Sequence, residues 1–564
     1  MMRRAASAWS VLLLLSTIAS CSAGGGVPVF DSAVAVTAAA TIDGANLMKH
    51  VGTLASDEYE GRSPGTRGEQ RTLDYLMREF KRLGLEPGNP DGSWLQPVSL
   101  AAMRATPTVS FTVKGRPLPI QIPRDIIVRV VSPDSDVVVP SSDVVFVGYG
   151  IVAPEFGWDD YAGIDVRGKT VVVLPGEPTP ETLRAAGRPD TTILRGREMS
   201  FHGWTRGKRE QALNHGAAAL IMVRREDEAG RWNSLLPIFT QEYAAVEGDV
   251  KRENPINAYM QWSALQQIFR ATGRSTDSLL VDAARASFKP FATGATASFR
   301  VRLQHRTLAT HNVVAKLTGS DPVLREEIVL YSSHWDAFGR DTTLTGDQIR
   351  NGAVDNAIGT AQLLEIAGAF ARLPKHPART ILFVATTAEE LGLLGARAYA
   401  LQPLYPLSRT LADINLDSGL PWGRTTAVTN LGDGRSTLDE VVRQVARELG
   451  KTIEPDASPE EGFYFRSDHF EFARVGVPSI FVGPAGEVIG KPPGFLKQKD
   501  DEYGAKDYHT LTDEIKPGWD LSGDAELARF SFLVGLRVAQ GTVWPTWKAG
   551  AEFKALRDSM VTKR

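Results

Sequence analysis

The sequence contains a single cysteine, at position 21 of 564 residues. A lone thiol has no partner within its chain, so we expect no intramolecular disulfide in the folded protein. Beyond the N-terminus, no hydrophobic run reaches the roughly 20 residues that a membrane-spanning helix needs. A basic excess is also missing, because 63 Lys and Arg face 66 Asp and Glu. Since the two signs are mixed along the chain, the sequence indicates no nucleic-acid-binding surface.

Composition and length set the broad class of the protein. With 43% hydrophobic and 23% charged residues, and no internal repeat, the chain has the composition of a globular protein. A chain of 564 residues is too long for one ordinary hydrophobic core, so we expect two or more domains.

The first residues are typical of an exported protein. Arg3 and Arg4 precede an apolar run at 9–15, and small residues follow, which is the layout of a secretory signal. The signal ends in Ile-Ala-Ser-Cys at 18–21, which resembles the lipobox of bacterial lipoproteins. We therefore predict a signal peptide at 1–21 and an exported lipoprotein, anchored to the membrane through Cys21, that faces the periplasm or the cell surface. A plain signal peptide with a chance cysteine is the alternative.

Two segments are expected between the signal and the first change of pattern. Residues 22–44 are small and weakly patterned, so we predict a tether there. Residues 45–104 are predicted to form the N-terminal part of the main domain. Within them, apolar residues recur at spacings of three and four between Leu73 and Leu83, which predicts an amphipathic helix ended by Gly84.

Residues 105–305 have a different texture and are predicted to be an inserted, β-rich accessory domain. Apolar β-type runs, for example at 143–151 and 168–178, are separated by Pro and Gly and are followed by a helix-like stretch at 208–223. No cluster of metal-binding or nucleophilic residues occurs in this insert.

Residues 306–564 alternate apolar strands with amphipathic helices. Strands are predicted at 312–319, 326–336, 380–390, 412–419 and 478–484, and helices at 355–373, 391–402, 434–450 and 521–540. Continuous apolar strands between helices predict an α/β fold, with a mostly parallel mixed sheet flanked by helices on both faces. In such sheets, ligands bind at the carboxyl ends of the strands.

Ligand-type side chains recur at those strand ends. The five candidates, each from a separate segment, are His334, Asp355, the Glu389-Glu390 pair, Asp417 and His509. Zinc accepts imidazole and carboxylate ligands, and five ligands can hold two ions if one carboxylate bridges them. Two cations can activate a water molecule, and one glutamate of the pair can act as general base while the other binds metal. Asp336 is placed to orient His334 from behind.

The sequence resembles the co-catalytic dizinc aminopeptidases related to glutamate carboxypeptidase and the transferrin receptor. The resemblance runs from about 45 to 545. It is carried, in family order, by the motifs SSHWD, GAVDNAIGTA, TAEELGLLGA, INLDSG, FRSDHFEFARVGVPSIFV and DYHTLTDE. The 105–305 insert looks like a protease-associated domain through VGYGI, DYAGIDVRGKTVVV and ALNHGAAALIMV.

The resemblance implies a role for each site residue. His334 and Asp417 would bind one zinc, Glu390 and His509 the other, and Asp355 would bridge the two. Glu389 would be the general base and acid, and Asp336 would orient His334. The Asp355-Asn356 peptide is cis in relatives. Tyr508 matches a tyrosine that stabilises the oxyanion in some relatives, although a buried structural tyrosine remains an equal alternative. Asp468 and His469 are expected to be structural or to support the pocket.

The implied function is a zinc-dependent exopeptidase acting on peptide substrates, in the first place an aminopeptidase. A carboxypeptidase or dipeptidase on the same scaffold remains open, because a cationic clamp for a C-terminal carboxylate has candidates in Arg340, Arg350, Arg424 and Arg466. Single-zinc glutaminyl cyclase chemistry and an inactive binding protein are less consistent with a complete ligand set. The loop at 337–354 is predicted to edge the cleft, and the region at 420–466 to cover it as a lid. The oligomeric state stays open.

Overall fold

The computed structural model describes residues 32–225, 229–252, 254–541 and 544–561. The predicted signal peptide and Cys21 therefore lie outside the described residues. Among the residues that are described, no helix combines the length and apolar character needed to cross a membrane.

Strands and helices are numbered here in chain order over the described residues. The strands are β1 (Glu86–Pro87), β2 (Leu95–Val113), β3 (Arg116–Pro117), β4 (Ile126–Arg129), β5 (Asp136–Phe146), β6 (Val152–Ala153), β7 (Trp158–Asp159), β8 (Thr170–Val173), β9 (Ala219–Arg224), β10 (Tyr243–Val246), β11 (Ile256–Gln261), β12 (Phe291–Leu317), β13 (Ile328–His334), β14 (Gly339–Arg340), β15 (Ile349–Arg350), β16 (Thr380–Thr386), β17 (Thr410–Asn415), β18 (Thr425–Leu431), β19 (Thr452–Glu454) and β20 (Ser479–Val488). The helices are α1 (Ser32–Ala39), α2 (Gly44–Leu54), α3 (Arg67–Arg82), α4 (Pro180–Ala185), α5 (Thr205–Asn214), α6 (Ala229–Thr240), α7 (Trp262–Ala271), α8 (Leu279–Ala284), α9 (Gly359–Ala371), α10 (Leu394–Leu401), α11 (Leu438–Glu448), α12 (His469–Arg474), α13 (Phe495–Lys506), α14 (Ser522–Gln540) and α15 (Lys554–Val561).

The C-terminal half is built around a mostly parallel sheet, which confirms the predicted fold class. Its centre runs β16-β13-β17-β20 with all neighbours parallel, while β12 and β18 join antiparallel at either side. Side chains alternate between the two faces of the sheet along each strand, and helices cover both faces. In β13, Val329 and Tyr331 face a core shared with α9 and α14, whereas Ile328 and Leu330 face a second core shared with α10 and α12.

A long two-stranded ribbon joins this sheet to the insert. Strands β2 and β12 pair antiparallel without interruption from Leu95↔Val313 to Val113↔Ala295. The insert has its own sheet, in which β5, β8, β9 and β11 run parallel and β4 closes one edge antiparallel. The predicted boundaries at 105 and 305 fall inside the ribbon, because the same two strands serve both sheets.

The helix-like stretch predicted at 208–223 is wrong in its second half. Helix α5 ends at Asn214, Gly216 has a left-handed φ of 71°, and residues 219–224 form β9. The apolar run that resembled a helix continuation is a strand held between two parallel neighbours, β8 and β11. Periodicity alone does not separate a short buried strand from a buried helix.

The predicted tether and lid both differ from the structure. Residues 32–39 form α1, and Ala38, Ala39 and Ile42 are buried in the main core. Alanine is the best helix former, and its small side chain allows close packing on α9 and α14. Most of the predicted lid belongs to the scaffold instead, because β18 and β19 extend the sheet and α11 packs against them, which buries Val428 and Val442.

Two helical glycines provide a matched test of this packing. A Cβ at Gly535, in α14, would overlap the buried hydroxyl of Tyr331, whereas a Cβ at the exposed Gly52, in α2, would meet nothing within 4 Å. Both alanine substitutions gain about 0.5–1 kcal/mol of helix propensity. Gly52→Ala should therefore raise the melting temperature. Gly535→Ala should lower it, because overpacking costs about 1–3 kcal/mol. Equal shifts for both in thermal denaturation would contradict the packing of α14 on β13.

Candidate metal centre

Five ligand-type side chains from five separate segments converge at the carboxyl end of the sheet. His334 Nε2 lies 3.2 Å from a carboxylate oxygen of Asp355 and 3.2 Å from one of Asp417. His509 Nε2 lies 3.2 Å from the other oxygen of Asp355 and 3.3 Å from Glu390. Two groups of three ligand atoms result, each lying within 4.8 Å of one another, and Asp355 is common to both.

The strand ends explain the convergence. His334 is the last residue of β13, Glu389 and Glu390 follow β16, and Asp417 follows β17. These three strands are parallel neighbours, so their carboxyl ends open at the same edge. Asp355 comes from the turn that precedes α9, and its peptide bond to Asn356 is cis.

His509 occupies the outer side of the site. It lies just beyond α13 with a left-handed φ of 62°. Its ring stacks on that of Tyr508 at 3.6 Å and meets Phe338 at 4.6 Å between ring centroids. Phe338 belongs to the 337–354 loop, which therefore does border the site, as predicted.

Most of these side chains are largely buried, although His509 is 37% exposed, and the carboxylates repel one another. Burial raises the pKa of both Glu389 and Glu390 well above the ordinary value, and the surrounding carboxylates raise it further. Burial disfavours protonation of His334, but Asp417 and Glu389 raise its pKa well above the ordinary value. For Asp355, burial is outweighed by hydrogen bonds from His334 and His509, which lower the pKa of its carboxyl. Such a site requires added positive charge if its carboxylates are to be ionised together.

The donor set fits divalent zinc. Each group offers one imidazole nitrogen and two carboxylate oxygens, with Asp355 shared, and zinc takes N and O ligands with an open position in catalytic sites. In addition, Glu390 Oε1 is buried and, among the described residues, accepts no hydrogen bond. A buried carboxylate oxygen that accepts no hydrogen bond is suited to bind a metal ion.

The Asp336 side chain supports the site mainly by holding the backbone of Glu389 and Glu390, and less by contact with His334. Its two carboxylate oxygens accept the backbone N–H groups of Glu389, at 3.1 Å, and Glu390, at 3.3 Å. His334 Nδ1 is closer to the backbone carbonyl of Asp336, at 3.2 Å, than to its carboxylate, at 3.8 Å. The predicted orienting contact is therefore made chiefly by the main chain, while the side chain fixes the glutamate pair.

Three further residues hold the site and were not assigned from sequence. Asp513 accepts the backbone N–H groups of Val354 and Asp355, at 2.9 and 3.1 Å. Ser467 donates a short hydrogen bond to Asp417. Arg62, at 1% exposure, donates to four backbone carbonyls, those of Leu54, Trp335, Asn351 and Gly352, at 2.6–2.8 Å.

A partial signal for these residues was present in the sequence. Asp513 and Ser467 lie within the motifs DYHTLTDE and FRSDHFEF, so their neighbourhood was known although their contacts were not. Arg62 lies within the stretch from about 45 to 545 over which the sequence resembles the family, but outside the motifs that carry the resemblance. Nothing in its local pattern indicates that its guanidinium is buried against carbonyls that lie 273 to 290 residues further along the chain.

The remaining predicted residues are distributed around the mouth of the site. Tyr508 is exposed, and Arg466 reaches its hydroxyl at 3.5 Å while lying over the ring of Phe463. Of the other candidate clamps, Arg350 pairs with Asp341 and Arg340 donates to Gln348.

Asp468 and His469 are fully buried below the metal ligands. Asp468 accepts a short hydrogen bond from Thr386, and its pKa is raised to about 7 by burial. His469 stands edge-on to Tyr464, with the ring centroids 4.9 Å apart. Both placements agree with a structural role.

A sequence model of a known family matches the part of the chain that carries the site. Residues 312–529 match the model described as Peptidase family M28. All five ligand-type groups, Glu389, Asp336 and Asp513 lie inside that range, whereas Arg62 and the insert lie outside it.

Curated relatives match shorter stretches. An aminopeptidase of Mus musculus named NAALADL1 is 36% identical over 121 residues, covering 21% of this chain and 14% of the relative. The aminopeptidase YwaD of Bacillus subtilis (strain 168) is 29% identical over 194 residues, covering 34% of this chain and 36% of the relative. The chain thus spans 14% of the length of the first relative and 36% of the length of the second.

Solved structures of similar shape cover more of the chain at lower identity. An aminopeptidase from Aneurinibacillus sp. strain AM-1 aligns over 90% of this chain and 96% of its own, with a TM-score of 0.46 and 18% identity. A zinc aminopeptidase from Bacillus subtilis aligns over 92% and 98%, with a TM-score of 0.40 and 16% identity.

The contact between Asp513 and the backbone before α9 can be tested by a near-isosteric change. Asp513→Asn replaces one of two acceptor oxygens by an NH₂ group that faces a backbone N–H. We expect zinc affinity to fall by ~10- to 100-fold, the usual effect of removing a group that positions metal ligands, measured by titrating metal-stripped protein against a chelator. Asp501→Asn, at an exposed acid paired with Lys497, is the control and should leave affinity unchanged. A normal affinity in Asp513→Asn would contradict the positioning role.

Proposed function

We propose that this chain, which contains a domain of peptidase family M28 at residues 312–529, is a zinc-dependent exopeptidase, in the first place an aminopeptidase. The observation that carries the proposal is the pair of ligand groups sharing Asp355, with a further glutamate beside them. Relatives named as aminopeptidases support the choice among exopeptidases.

We assign the metal ligands from the two groups. His334 and Asp417 would hold one zinc, Glu390 and His509 the second, and Asp355 would bridge both through its two oxygens. When bound, the zinc ions would polarise the scissile carbonyl and lower the pKa of a water molecule.

Glu389 is assigned the proton transfers. It belongs to neither ligand group, yet Oε2 lies 4.0 Å from His334 Nε2, and the side chain is 11% exposed. Asp336 fixes its backbone. From that position, Glu389 takes the proton of the attacking water and delivers it to the nitrogen of the leaving amine, as a general base and then a general acid.

Tyr508 is assigned to the oxyanion. It stacks on His509, which places its hydroxyl at the mouth of the same site, and a phenol O–H aimed at the developing negative charge stabilises the transition state. Arg466, 3.5 Å from that hydroxyl, adds positive charge at the same point.

Arg466 also keeps a second activity open. In the described part of the chain its guanidinium pairs with no carboxylate, so it is available to bind the carboxylate of a short peptide. A dipeptidase or carboxypeptidase reading therefore remains the alternative. An inactive binding protein is less consistent with a site in which every ligand position carries a ligand-type side chain.

We further propose that the protein is exported and anchored at the membrane through Cys21, and that the insert is a protease-associated domain. The signal-like N-terminus supports the first proposal, and three insert motifs that match such a domain support the second. Because α1 and Ile42 pack on the core, the proposed tether is confined to residues 22–31.

A panel of terminally blocked peptides on purified, metal-quantified protein tests the proposed activity. We expect two zinc ions per chain, cleavage of amino-acid anilides and of peptides with a free α-amine, and no cleavage when that amine is acetylated. Cleavage of N-acetylated peptides that depends on a free C-terminal carboxylate would instead favour the carboxypeptidase. A protein that binds zinc and cleaves neither class would overturn both.

Substitution of Glu389 separates proton transfer from metal binding. Glu389→Gln keeps the size of the side chain but cannot take a proton, so kcat should fall by at least ~10² while both zinc ions remain. Glu390→Gln is the comparison and should lose zinc from one site. Turnover is followed with an anilide substrate and zinc by elemental analysis; near-normal kcat in Glu389→Gln with intact zinc would reject the assigned role.

A further inference from the structure

A polar cavity other than the metal centre lies where the insert meets the sheet domain. It has a volume of about 310 Å³ and is called the junction cavity below. The insert contributes β4, α5 and β10 to its walls, and the sheet domain contributes the start of α10 and the end of α12. None of the proposed metal ligands lines it.

The charges around the junction cavity do not balance. Five arginines line it, with three carboxylates that belong to the cavity wall or lie directly behind it. The arginines are Arg129, Arg206, Arg209, Arg397 and Arg474, and the carboxylates are Glu210, Asp249 and Glu471. The exposed Lys251 at the rim adds a further positive charge.

Three of the five arginines, Arg206, Arg397 and Arg474, already pair with all three carboxylates. Glu471, which is fully buried, pairs with Arg206 and Arg474. Asp249 accepts both arms of Arg397, at 2.7 and 2.9 Å, and Glu210 accepts Arg474 in a short contact.

Arg129 and Arg209 are therefore left over. No carboxylate of the described residues lies within ion-pair distance of either guanidinium. Arg129 is held by stacking over the rings of Phe239 and Tyr243, at 5.2 and 4.9 Å from their centroids. Both side chains are half-buried and line the cavity.

Leaving two such cations unpaired is costly. The pKa of Arg209 is lowered to about 10, chiefly by burial and also by repulsion from Arg129 and Arg474, while Tyr259 and Glu210 act in the opposite direction. Burial also lowers the pKa of Arg129. A buried charge is ordinarily paired or hydrogen-bonded, so the arrangement is stable only at the expense of the free energy of folding, unless an anion completes it.

We propose that the junction cavity is a binding site for a small, doubly charged oxyanion, held between the guanidinium groups of Arg129 and Arg209. Two uncompensated positive charges call for two negative ones. Guanidinium forks match the oxygens of sulfate, phosphate and phosphate monoesters, whose shared chemistry is a compact dianionic group. A cavity of about 310 Å³ has room for such a group and for a small organic substituent.

The site would join the two parts of the molecule. Arg129 and Arg209 belong to the insert, while Arg397 and Arg474, which line the opposite wall, belong to α10 and α12. Arg206, one turn before Arg209 on α5, also donates to the carbonyl of Gly392 at 2.8 Å. An anion bound here would thus offset the repulsion across the junction. This inference does not depend on the proposed peptidase activity.

Calorimetric titration of the full-length protein with sulfate, at constant ionic strength kept with chloride, tests the proposal. Sulfate stays doubly charged throughout the working pH range. We expect one saturable site per chain, and a dissociation constant raised at least ~10-fold in both Arg129→Gln and Arg209→Gln, because each loses one charge-assisted fork. Arg252→Gln, at an exposed insert arginine paired with Asp134, is the matched control and should bind as the natural sequence does.

Thermal denaturation without a dianion gives a second readout. Arg209→Gln should raise the melting temperature, because it removes repulsion from Arg129 and Arg474. Added sulfate should raise the melting temperature of the Arg252→Gln control, and this rise should be lost in Arg209→Gln. Arg209→Lys checks that the protein folds with the charge kept and the fork lost. The proposal would be overturned by the absence of saturable binding, by equal affinity in Arg209→Gln, or by a lower melting temperature for Arg209→Gln in dianion-free buffer.

Discussion

The constraint on which the site depends is electrostatic. Four carboxylates, those of Asp355, Glu389, Glu390 and Asp417, face two imidazoles at one largely buried sheet edge. Mutual repulsion and burial both oppose ionisation of the glutamate pair. Such a cluster is tolerable only with compensating positive charge, and the ligand geometry supplies two places for it. The same excess of acid that opposes the folding of the cluster would favour a divalent ion at this centre.

The surrounding structure holds this cluster mainly through the backbone. Asp336 and Asp513 each accept two main-chain N–H groups next to ligand residues, and Arg62 collects four carbonyls from three separate segments. These contacts fix the backbone from which each ligand side chain extends, and they do not fix the position of the ligand atom itself. Directionality then comes from packing, such as the Tyr508 ring on that of His509. A loosened backbone would therefore weaken metal binding without any change in ligand chemistry.

The insert meets the sheet domain through more than one kind of contact. The ribbon of β2 and β12 is a continuous covalent and hydrogen-bonded connection, and Ala244 and Val246 of β10 share a buried apolar cluster with Leu394 and Ala398 of α10. Beside them, arginines pair with acids near α10 and α12. In contrast to the metal centre, the surplus here is positive. The metal centre and the junction cavity thus carry unbalanced charge of opposite sign, and each is suited to a small ion of the other sign.

The sequence alone determined the parallel sheet, the positions of its central strands and the identity of the metal-ligand candidates, because apolar periodicity and residue chemistry are local properties. It did not determine that residues 32–39 form a helix, since an alanine-rich stretch is equally compatible with a tether, or that 219–224 is a strand, since a short apolar run fits either state. The lid predicted at 420–466 rested on the length of that region, and length does not distinguish a lid from additional strands of the sheet. Only the tertiary structure brought Arg62 to Gly352 and set Arg129 against Arg209, because contacts between residues far apart in the chain leave no trace in the local pattern of either one.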